Sequence, residues 1–323
     1  MKKEDLKILF MGTPDFALGC LKTLVENKFN VVGVFSQPDK PKGRGMKLMP
    51  TPTKEYAESK SIPVYQPLKL KDNEEVKNIL KELEPDLIIV VAYGKILPKY
   101  ILDFPKYGCI NVHGSILPKY RGAAPIQWAV INGEHETGVT TMYMDAGMDT
   151  GDMITVARIA IDKEDTYGML HDKLMVLGAK TLVEDLERLL QNDGKLESTK
   201  QPEEFTLAPM LSKEISMIDF NNKAEEVVNL VRGTNPFPTA WCKLDDERIY
   251  KVYKSEIVEL EGNYDNAKIG EIVELNDKKN IFAVKCIDGF VNLKEIKPAG
   301  SKLMKCGDYI RGGKVKLGEV FVK

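Results

Sequence analysis

The chain lacks most of the devices that staple, anchor or load a protein. Its five cysteines (Cys20, Cys109, Cys242, Cys286 and Cys306) are scattered and form no C-x-x-C pair. That excludes a disulfide scaffold and a zinc site, so no metal is expected, and it predicts reduced thiols in a cytoplasm. No stretch approaches the ~18–20 uninterrupted apolar residues of a membrane helix, so no membrane partner is expected. The opening residues Met1-Lys2-Lys3-Glu4-Asp5-Leu6 turn acidic before any apolar run, and no signal peptide is expected. Neither sign of charge is in excess. The formal net charge is −2 and the pI is near 6.1, which at face value argues against a nucleic-acid partner.

Nucleotide-cofactor signatures are missing too. After the first apolar run the chain reads Gly12-Thr13-Pro14-Asp15-Phe16, with Gly19 beyond. Proline and aspartate stand where a G-x-G-x-x-G turn needs glycines beside a pyrophosphate, and Asp15 would repel phosphate at a helix start. No Walker A pattern exists, so neither NAD nor ATP binding is expected by these motifs. Thr13 reads instead as a helix cap, with Pro14 at the first helical position.

What is present is a soluble globular composition, 43% hydrophobic and 29% charged over 323 residues. That length suits about two domains. Apolar β-branched runs at 7–12, 31–36, 62–65, 86–93 and 109–113 alternate with helical spacing, for example at Phe16, Leu18, Leu21, Leu24 and Val25. Strands at 138–144 and 153–161 precede a long helix over 169–191. The pattern predicts an α/β fold, a Rossmann-like doubly wound and mainly parallel sheet. Residues 195–209 are polar, with Pro202 and Pro209, and read as a linker. One helix over 224–231 follows, then five short strands between 240 and 296, as in a small OB-like β-barrel. The expected domains are 1–194 and 210–323.

Three histidines are available. His135 sits in a polar turn and His171 on the long helix beside Asp172. His113 ends a parallel strand just before Gly114-Ser115, at the sheet edge where open α/β folds bind ligands. Asn111 lies two residues earlier, so both side chains share one face about 6.6 Å apart. Asp149 comes from the glycine-bearing loop 145–152 and reaches His113 if that loop folds over the same edge. A polar pair at a strand end also serves simply to satisfy backbone groups, and an Asp in such a loop also serves as a turn former. As a site, the three would supply an oxyanion donor, a proton manager and an orienting group, suited to moving an acyl-like group onto a nucleophile brought by the substrate.

Residues 111–127, Asn-Val-His-Gly-Ser-Ile-Leu-Pro-Lys-Tyr-Arg-Gly-Ala-Ala-Pro-Ile-Gln, resemble the signature of the folate-dependent formyltransferases, and Asp149-Thr150-Gly151-Asp152 resembles its second motif. The likeness spans essentially the whole chain. Gly12 to Phe16, the insertion from Gln37 through Gly43-Arg44-Gly45 to Pro50, Val91-Ala92-Tyr93-Gly94 and Asn235-Pro236-Phe237-Pro238 narrow it to the branch acting on charged initiator tRNA. The resemblance implies transfer of formyl from 10-formyltetrahydrofolate to the α-amino group of methionine esterified to initiator tRNA. It places Asn111, His113 and Asp149 in the catalytic positions and Ser115, Ile116, Leu117 and Pro118 in the folate-binding position. Whether Asp149 is a base or only orients His113 stays open. A monomer is expected. Formylation of a small amine, such as an amino-sugar nucleotide, is the alternative within the family; a folate-binding module or formyl-folate hydrolase is the alternative outside it.

An RNA partner requires local basic surfaces, and the sequence has two. From Asp39 to Lys54, five cations (Lys40, Lys42, Arg44, Lys47, Lys54) face one acid in a stretch that reads as a loop, with Arg44 between glycines at its tip. Lys40, Lys42, Arg44 and Lys47 are the expected tRNA contacts. Many relatives would carry two basic residues after Arg44-Gly45, whereas here Met46 precedes Lys47. From Phe290 onward, eight basic residues (Lys294, Lys297, Lys302, Lys305, Arg311, Lys314, Lys316, Lys323) stand against Glu295, Asp308 and Glu319.

Overall fold

Apolar alternation in the first half of the chain becomes a sheet with helices against it. In this computed structural model, which describes residues 2–42 and 46–323, the chain forms two compact units. The first takes residues up to Pro125, Glu136–Ala160 and His171–Ala208; the second takes Ile126–His135, Ile161–Leu170 and Pro209–Lys323.

The strands of the first unit are β1 Lys7–Gly12, β2 Asn30–Phe35, β3 Lys40–Lys42, β4 Lys47–Met49, β5 Val64–Tyr65, β6 Leu87–Val91, β7 Cys109–His113, β8 Glu136–Tyr143 and β9 Met153–Ala160. Seven form one sheet in the order β5-β2-β1-β6-β7-β8-β9. Ladders from β5 through β7 are parallel, while β8 and β9 add antiparallel. All five residues of β6 are buried, as a strand covered on both faces requires. The chain winds outward from β1 to β5 and then returns to β6, so the order reverses between β1 and β6. The carboxyl ends there and at neighbouring β7 flank the crevice such sheets use for ligands.

The helices are α1 Asp15–Glu26, α2 Pro52–Ser59, α3 Glu74–Leu83, α4 Lys99–Leu102, α5 Pro125–Ile131 and α6 Tyr167–Gln191. Helix α3 shows why they form. The Asn73 side chain accepts from the Glu75 and Val76 amides, Glu74 and Glu75 occupy the first turn, and Val76, Ile79 and Leu80 bury one stripe. Helix α1 starts one residue later than its sequence suggests. Pro14 is extended and stands at the cap position. The Thr13 hydroxyl does not cap; it accepts from the Gln37 amide at 3.2 Å, tying the end of β1 to the end of β2.

Two further readings need correction. The basic insertion is not a loop throughout: β3 and β4 pair as an antiparallel ribbon, with Lys40 opposite Met49 and Lys42 opposite Lys47. Residues 195–208 are no free linker either. Met153 and Thr199 exchange both backbone bonds at 2.8 Å, the Arg121 amide donates to the Thr206 carbonyl at 2.9 Å, and the Ala208 amide donates to Arg121 at 2.7 Å. Ala208 is fully buried. A polar, proline-bearing segment reads as linker from composition, yet backbone groups bond whatever their side chains are.

Besides nearly all of α5 and the first residues of α6, the second unit holds α7 Ala224–Gly233, β10 Ala240–Leu244, β11 Ile249–Val258, β12 Ile272–Asn276, β13 Ile281–Lys285, β14 Phe290–Pro298, β15 Met304–Lys305, α8 Cys306–Arg311 and β16 Phe321–Val322. The strands pair antiparallel in the order β12-β13-β14-β11-β10-β16, with β15 on β14. The sheet curls until its ends meet, where the Ile272 amide donates to the Glu319 carbonyl and the Phe321 amide to the Gly270 carbonyl, both at 2.8 Å. Val252, Phe282, Val291 and Phe321 fill its interior with Val227 and Val231 of α7.

Candidate active site

Strand periodicity puts Asn111 and His113 on one face of β7, and both are buried (8% and 6% exposed). The 145–152 loop brings the third group. Its shape is set locally: the Asp145 carboxylate accepts from the Gly147 amide at 3.0 Å and the Thr150 hydroxyl at 2.6 Å. Asp149 adopts a left-handed backbone with φ +54°. Gly151 must be glycine, because a Cβ there would lie 1.7 Å from the Tyr143 carbonyl oxygen.

The loop does fold over the β7 edge. Asp149 Oδ1 lies 3.7 Å from His113 Nδ1 and 3.5 Å from Asn111 Nδ2. Its other oxygen, Oδ2, accepts from the Gly122 amide at 2.8 Å. That glycine is obligatory: its φ is +122°, and a Cβ would meet the Ala208 carbonyl oxygen at 2.8 Å. His113 Nε2 lies 2.9 Å from the Tyr120 carbonyl oxygen. A carbonyl only accepts, so the hydrogen is on Nε2 and Nδ1 is the nitrogen turned to Asp149. Two acceptors cannot face one another without a hydrogen between them. The gap among Nδ1, Oδ1 and the Asn111 amide is therefore fitted to a donor: a proton on Nδ1, or the N–H of an incoming amine.

Gln201 carries no sequence signal, being a lone amide in a polar stretch, yet it ties this region together. Its Nε2 donates to the Asp149 and Gly151 carbonyls, both at 2.8 Å. Its Oε1 accepts from Arg121 Nε at 3.0 Å and Nη2 at 2.7 Å. The Arg121 guanidinium lies over the Phe205 ring, 4.6 Å from its centroid.

The turn after β7 places the four residues expected at the folate position differently. Ser115 and Leu117 are buried, Ile116 and Pro118 only partly. The Ser115 hydroxyl donates to the Lys119 carbonyl at 2.6 Å. The Thr140 hydroxyl donates to the Ser115 carbonyl at 2.7 Å and accepts from the Leu117 amide at 3.1 Å. The polar groups of this turn thus hold its own shape, and Ile116 and Pro118 are the side chains with surface left.

Of the basic residues, Lys40 and Lys47 are exposed on the ribbon. Lys42 ends β3, and Arg44 lies outside the described residues. Lys54 is engaged: its ammonium contacts Asp39 at 2.7 Å and Gln66 at 3.0 Å. The hydrogen bond from Lys54, then that from Gln66, holds the Asp39 carboxyl below the usual carboxylate range. In the second unit Lys294 pairs with Glu256, Arg311 with Asp308, and Lys323 with Asp219. Lys297, Lys302, Lys305, Lys314 and Lys316 remain exposed. Lys251, which the sequence did not single out, is the cross-strand partner of Lys297.

The other histidines lie elsewhere in the fold: His135 is exposed in its turn, and His171 packs edge-on to Phe16 at 5.6 Å. Cys109, at the start of β7, is inert, because burial pushes its thiol up to about 12. Among the described residues no His, Cys, Asp and Glu side chains group as metal ligands.

Residues 6–186 match the Formyl transferase family and residues 210–314 match Formyl transferase, C-terminal domain. The chain belongs to the formyltransferase family. Within it, the chain is 48% identical over 315 residues to a methionyl-tRNA formyltransferase of Clostridioides difficile (strain 630), covering 98% of this chain and 99% of that one. It is also 48% identical over 314 residues to a methionyl-tRNA formyltransferase of Ruminiclostridium cellulolyticum, covering 97% and 99%. Among solved structures, the N-formyltransferase from Helicobacter canadensis, in complex with folinic acid and dTDP-3-aminofucose, shares the fold. Its TM-score is 0.64 at 20% identity, over 89% of this chain and 98% of that one.

Proposed function

We infer that the chain transfers the formyl group of 10-formyltetrahydrofolate to the α-amino group of methionyl-initiator tRNA, giving N-formylmethionyl-tRNA for translation initiation. The end-to-end match to relatives that bear the methionyl-tRNA formyltransferase name carries this reading.

Asn111, His113 and Asp149 do the chemistry. A model α-amino group titrates near ~7.7–8.0, and esterification of its carboxyl lowers that, so the acceptor is largely the free base at neutral pH. The amine enters the gap and directs an N–H at Asp149 Oδ1. Its lone pair attacks the formyl carbon, and the carbonyl oxygen becomes an oxyanion that takes a hydrogen bond from Asn111 Nδ2. A positioned donor of this kind is worth ~2.7–4 kcal/mol in the transition state. The proton leaving the new ammonium passes to His113 Nδ1, with Asp149 holding the charge in place. The bond from carbon to N10 of the folate then breaks as that proton reaches N10, and the formamide and tetrahydrofolate leave. Asp149 acts as orienting anion, since one of its oxygens is committed to Gly122. Ile116 and Pro118 offer the folate partly exposed apolar surface beside this gap.

The RNA is held by charge. Lys40, Lys42 and Lys47 belong to the β3–β4 ribbon, and Arg44, outside the described residues, is the fourth contact read from the sequence. Residues 210–323, within the second unit, form the tRNA-binding domain. There Lys251 stands directly opposite Lys297, an arrangement of like charges that costs stability unless an anion sits over it. Phosphate contacts of this kind make affinity steeply salt-dependent. The enzyme acts as a monomer in the cytoplasm.

One assay tests the reading: incubate the protein with 10-formyltetrahydrofolate, with and without charged initiator tRNA, and follow formyl loss and formylmethionyl-tRNA. Formyl loss that ignores the tRNA would sink the transferase reading in favour of a hydrolase. A KM for the acceptor that does not rise with salt would point to a small amine instead.

A further inference from the structure

We propose that Gln201 is a positioning residue for Asp149, setting the carboxylate at its working place from a strap, residues 199–208, that crosses the active site from outside the catalytic motifs. The inference rests on the formyl-transfer reading and adds a residue to its site.

The geometry is unusually complete. A side-chain amide has two hydrogens and two oxygen lone pairs. Gln201 spends both hydrogens on the carbonyls of Asp149 and Gly151 and receives two N–H groups from Arg121 on its oxygen. Arginine only donates and carbonyls only accept, so the amide has one possible orientation. One of the carbonyls it holds is that of Asp149 itself, whose φ is +54°, a left-handed conformation uncommon for a non-glycine residue and steadied here by bonds on its own peptide. Through Arg121 the same amide steadies the opposite wall. The segment 120–122 supplies the Tyr120 carbonyl that fixes His113 and the Gly122 amide that holds Asp149 Oδ2. The strap bonds that wall three times more, the Thr206 hydroxyl accepting from the Tyr120 amide at 2.8 Å, the Thr206 carbonyl from the Arg121 amide at 2.9 Å, and the Ala208 amide donating to the Arg121 carbonyl at 2.7 Å. One side chain thus links both halves of the pair that faces across the gap.

Gln201→Glu is the discriminating variant. It keeps size and shape, keeps an acceptor for Arg121, and loses both donors to the loop. Misplacing a catalytic group by ~1 Å costs ~10²-fold in rate. Gln201→Glu and Gln201→Ala should therefore each lower kcat by ~30–100-fold, with KM for either substrate changed by less than ~3-fold. Amide hydrogen exchange over residues 145–152 should quicken by ~10-fold or more in Gln201→Glu while the rest of the first unit keeps its protection. In an Asp149→Asn background the further loss from Gln201→Ala should shrink to less than ~3-fold, because the group it positions is gone. A Gln201→Glu enzyme with wild-type kcat, unchanged loop exchange, or a full multiplicative loss on the Asp149→Asn background would each overturn the proposal. Wild-type protein that fails to formylate charged tRNA would refute the functional reading instead, and the exchange measurement would still decide whether Gln201 holds the loop.

Discussion

Asp149→Asn changes one charge and almost no volume, which makes it the sharpest probe of the site. In the proposed mechanism the proton taken from the amine places an imidazolium 3.7 Å from Asp149 Oδ1. At an effective dielectric of ~20, that attraction is about 4 kcal/mol, or ~10³-fold in rate. Solvent reaching the partly open loop reduces it, so the expected fall in kcat is ~10²–10³-fold. The substituted side chain has a second effect. The Gly122 amide at 2.8 Å still needs an acceptor, so the carboxamide oxygen turns to Gly122 and its NH₂ turns toward His113 Nδ1 and Asn111 Nδ2. A donor then occupies the gap meant for the substrate amine. Folate binding should stay within ~3-fold of wild type, and the thermal midpoint within a few degrees. The assay is single-turnover formylation with radiolabelled methionyl-tRNA, alongside a melting curve. An Asp149→Asn enzyme whose kcat lies within tenfold of wild type would refute the charge argument.

Four other outcomes are expected. Gly122→Ala forces a Cβ to within 2.8 Å of the Ala208 carbonyl at φ +122°, costing ~1–3 kcal/mol and lowering Tm by about 2–10 °C; kcat falls ~10²-fold as the Asp149 anchor moves, and an unchanged Tm would show that the turn relaxes freely. The five thiols are buried, with burial pushing Cys20 and Cys286 to about 12 and Cys306 to about 11. A disulfide reagent at pH 8 should therefore label none in the native protein and five after denaturation. Because these folded values are raised, the stability they supply is full below ~8.5, the unfolded thiol value, and is lost as pH rises toward 11–12; a denaturation midpoint that climbs over that range would contradict the sign. Lys40→Ala with Lys47→Ala should raise KM for charged tRNA several-fold and flatten its salt dependence by about one unit of slope per contact removed, with kcat unchanged; equal KM and slope would remove the ribbon from the RNA interface.

Local pattern carried a good part of this protein. Alternating apolar runs specify β6 and β7, and a period of two puts Asn111 and His113 side by side whatever the rest of the chain does. The 111–127 signature, read together with 149–152, placed the chain in its family before any coordinates. Composition was a poor guide where it averaged. A net charge of −2 hid the exposed lysines of the ribbon and the barrel, and the polar stretch 195–209 read as a linker although Thr199, Thr206 and Ala208 bond by their backbone into the first unit. Thr13 looked like a cap because Thr-Pro-Asp is a good helix start; Gln37, brought beside it by β2, claimed its hydroxyl instead.

The sequence by itself determined which chemical groups could meet at the end of β7 and what kind of sheet would hold them. Tertiary structure alone decided how they meet. Asp149 reaches Asn111 across 38 residues of sequence, and Gln201 reaches the Asp149 carbonyl across 52 and Arg121 across 80. It also decided that Tyr120 fixes the His113 tautomer, and that Lys54, Lys294 and Lys323 are spent on ion pairs while Lys251 and Lys297 stand opposite one another on neighbouring strands. Periodicity and turn chemistry act over a few residues. Hydrogen-bond partners and ion pairs are chosen by which distant segments the fold brings within about 3 Å, and no short window of sequence contains that information.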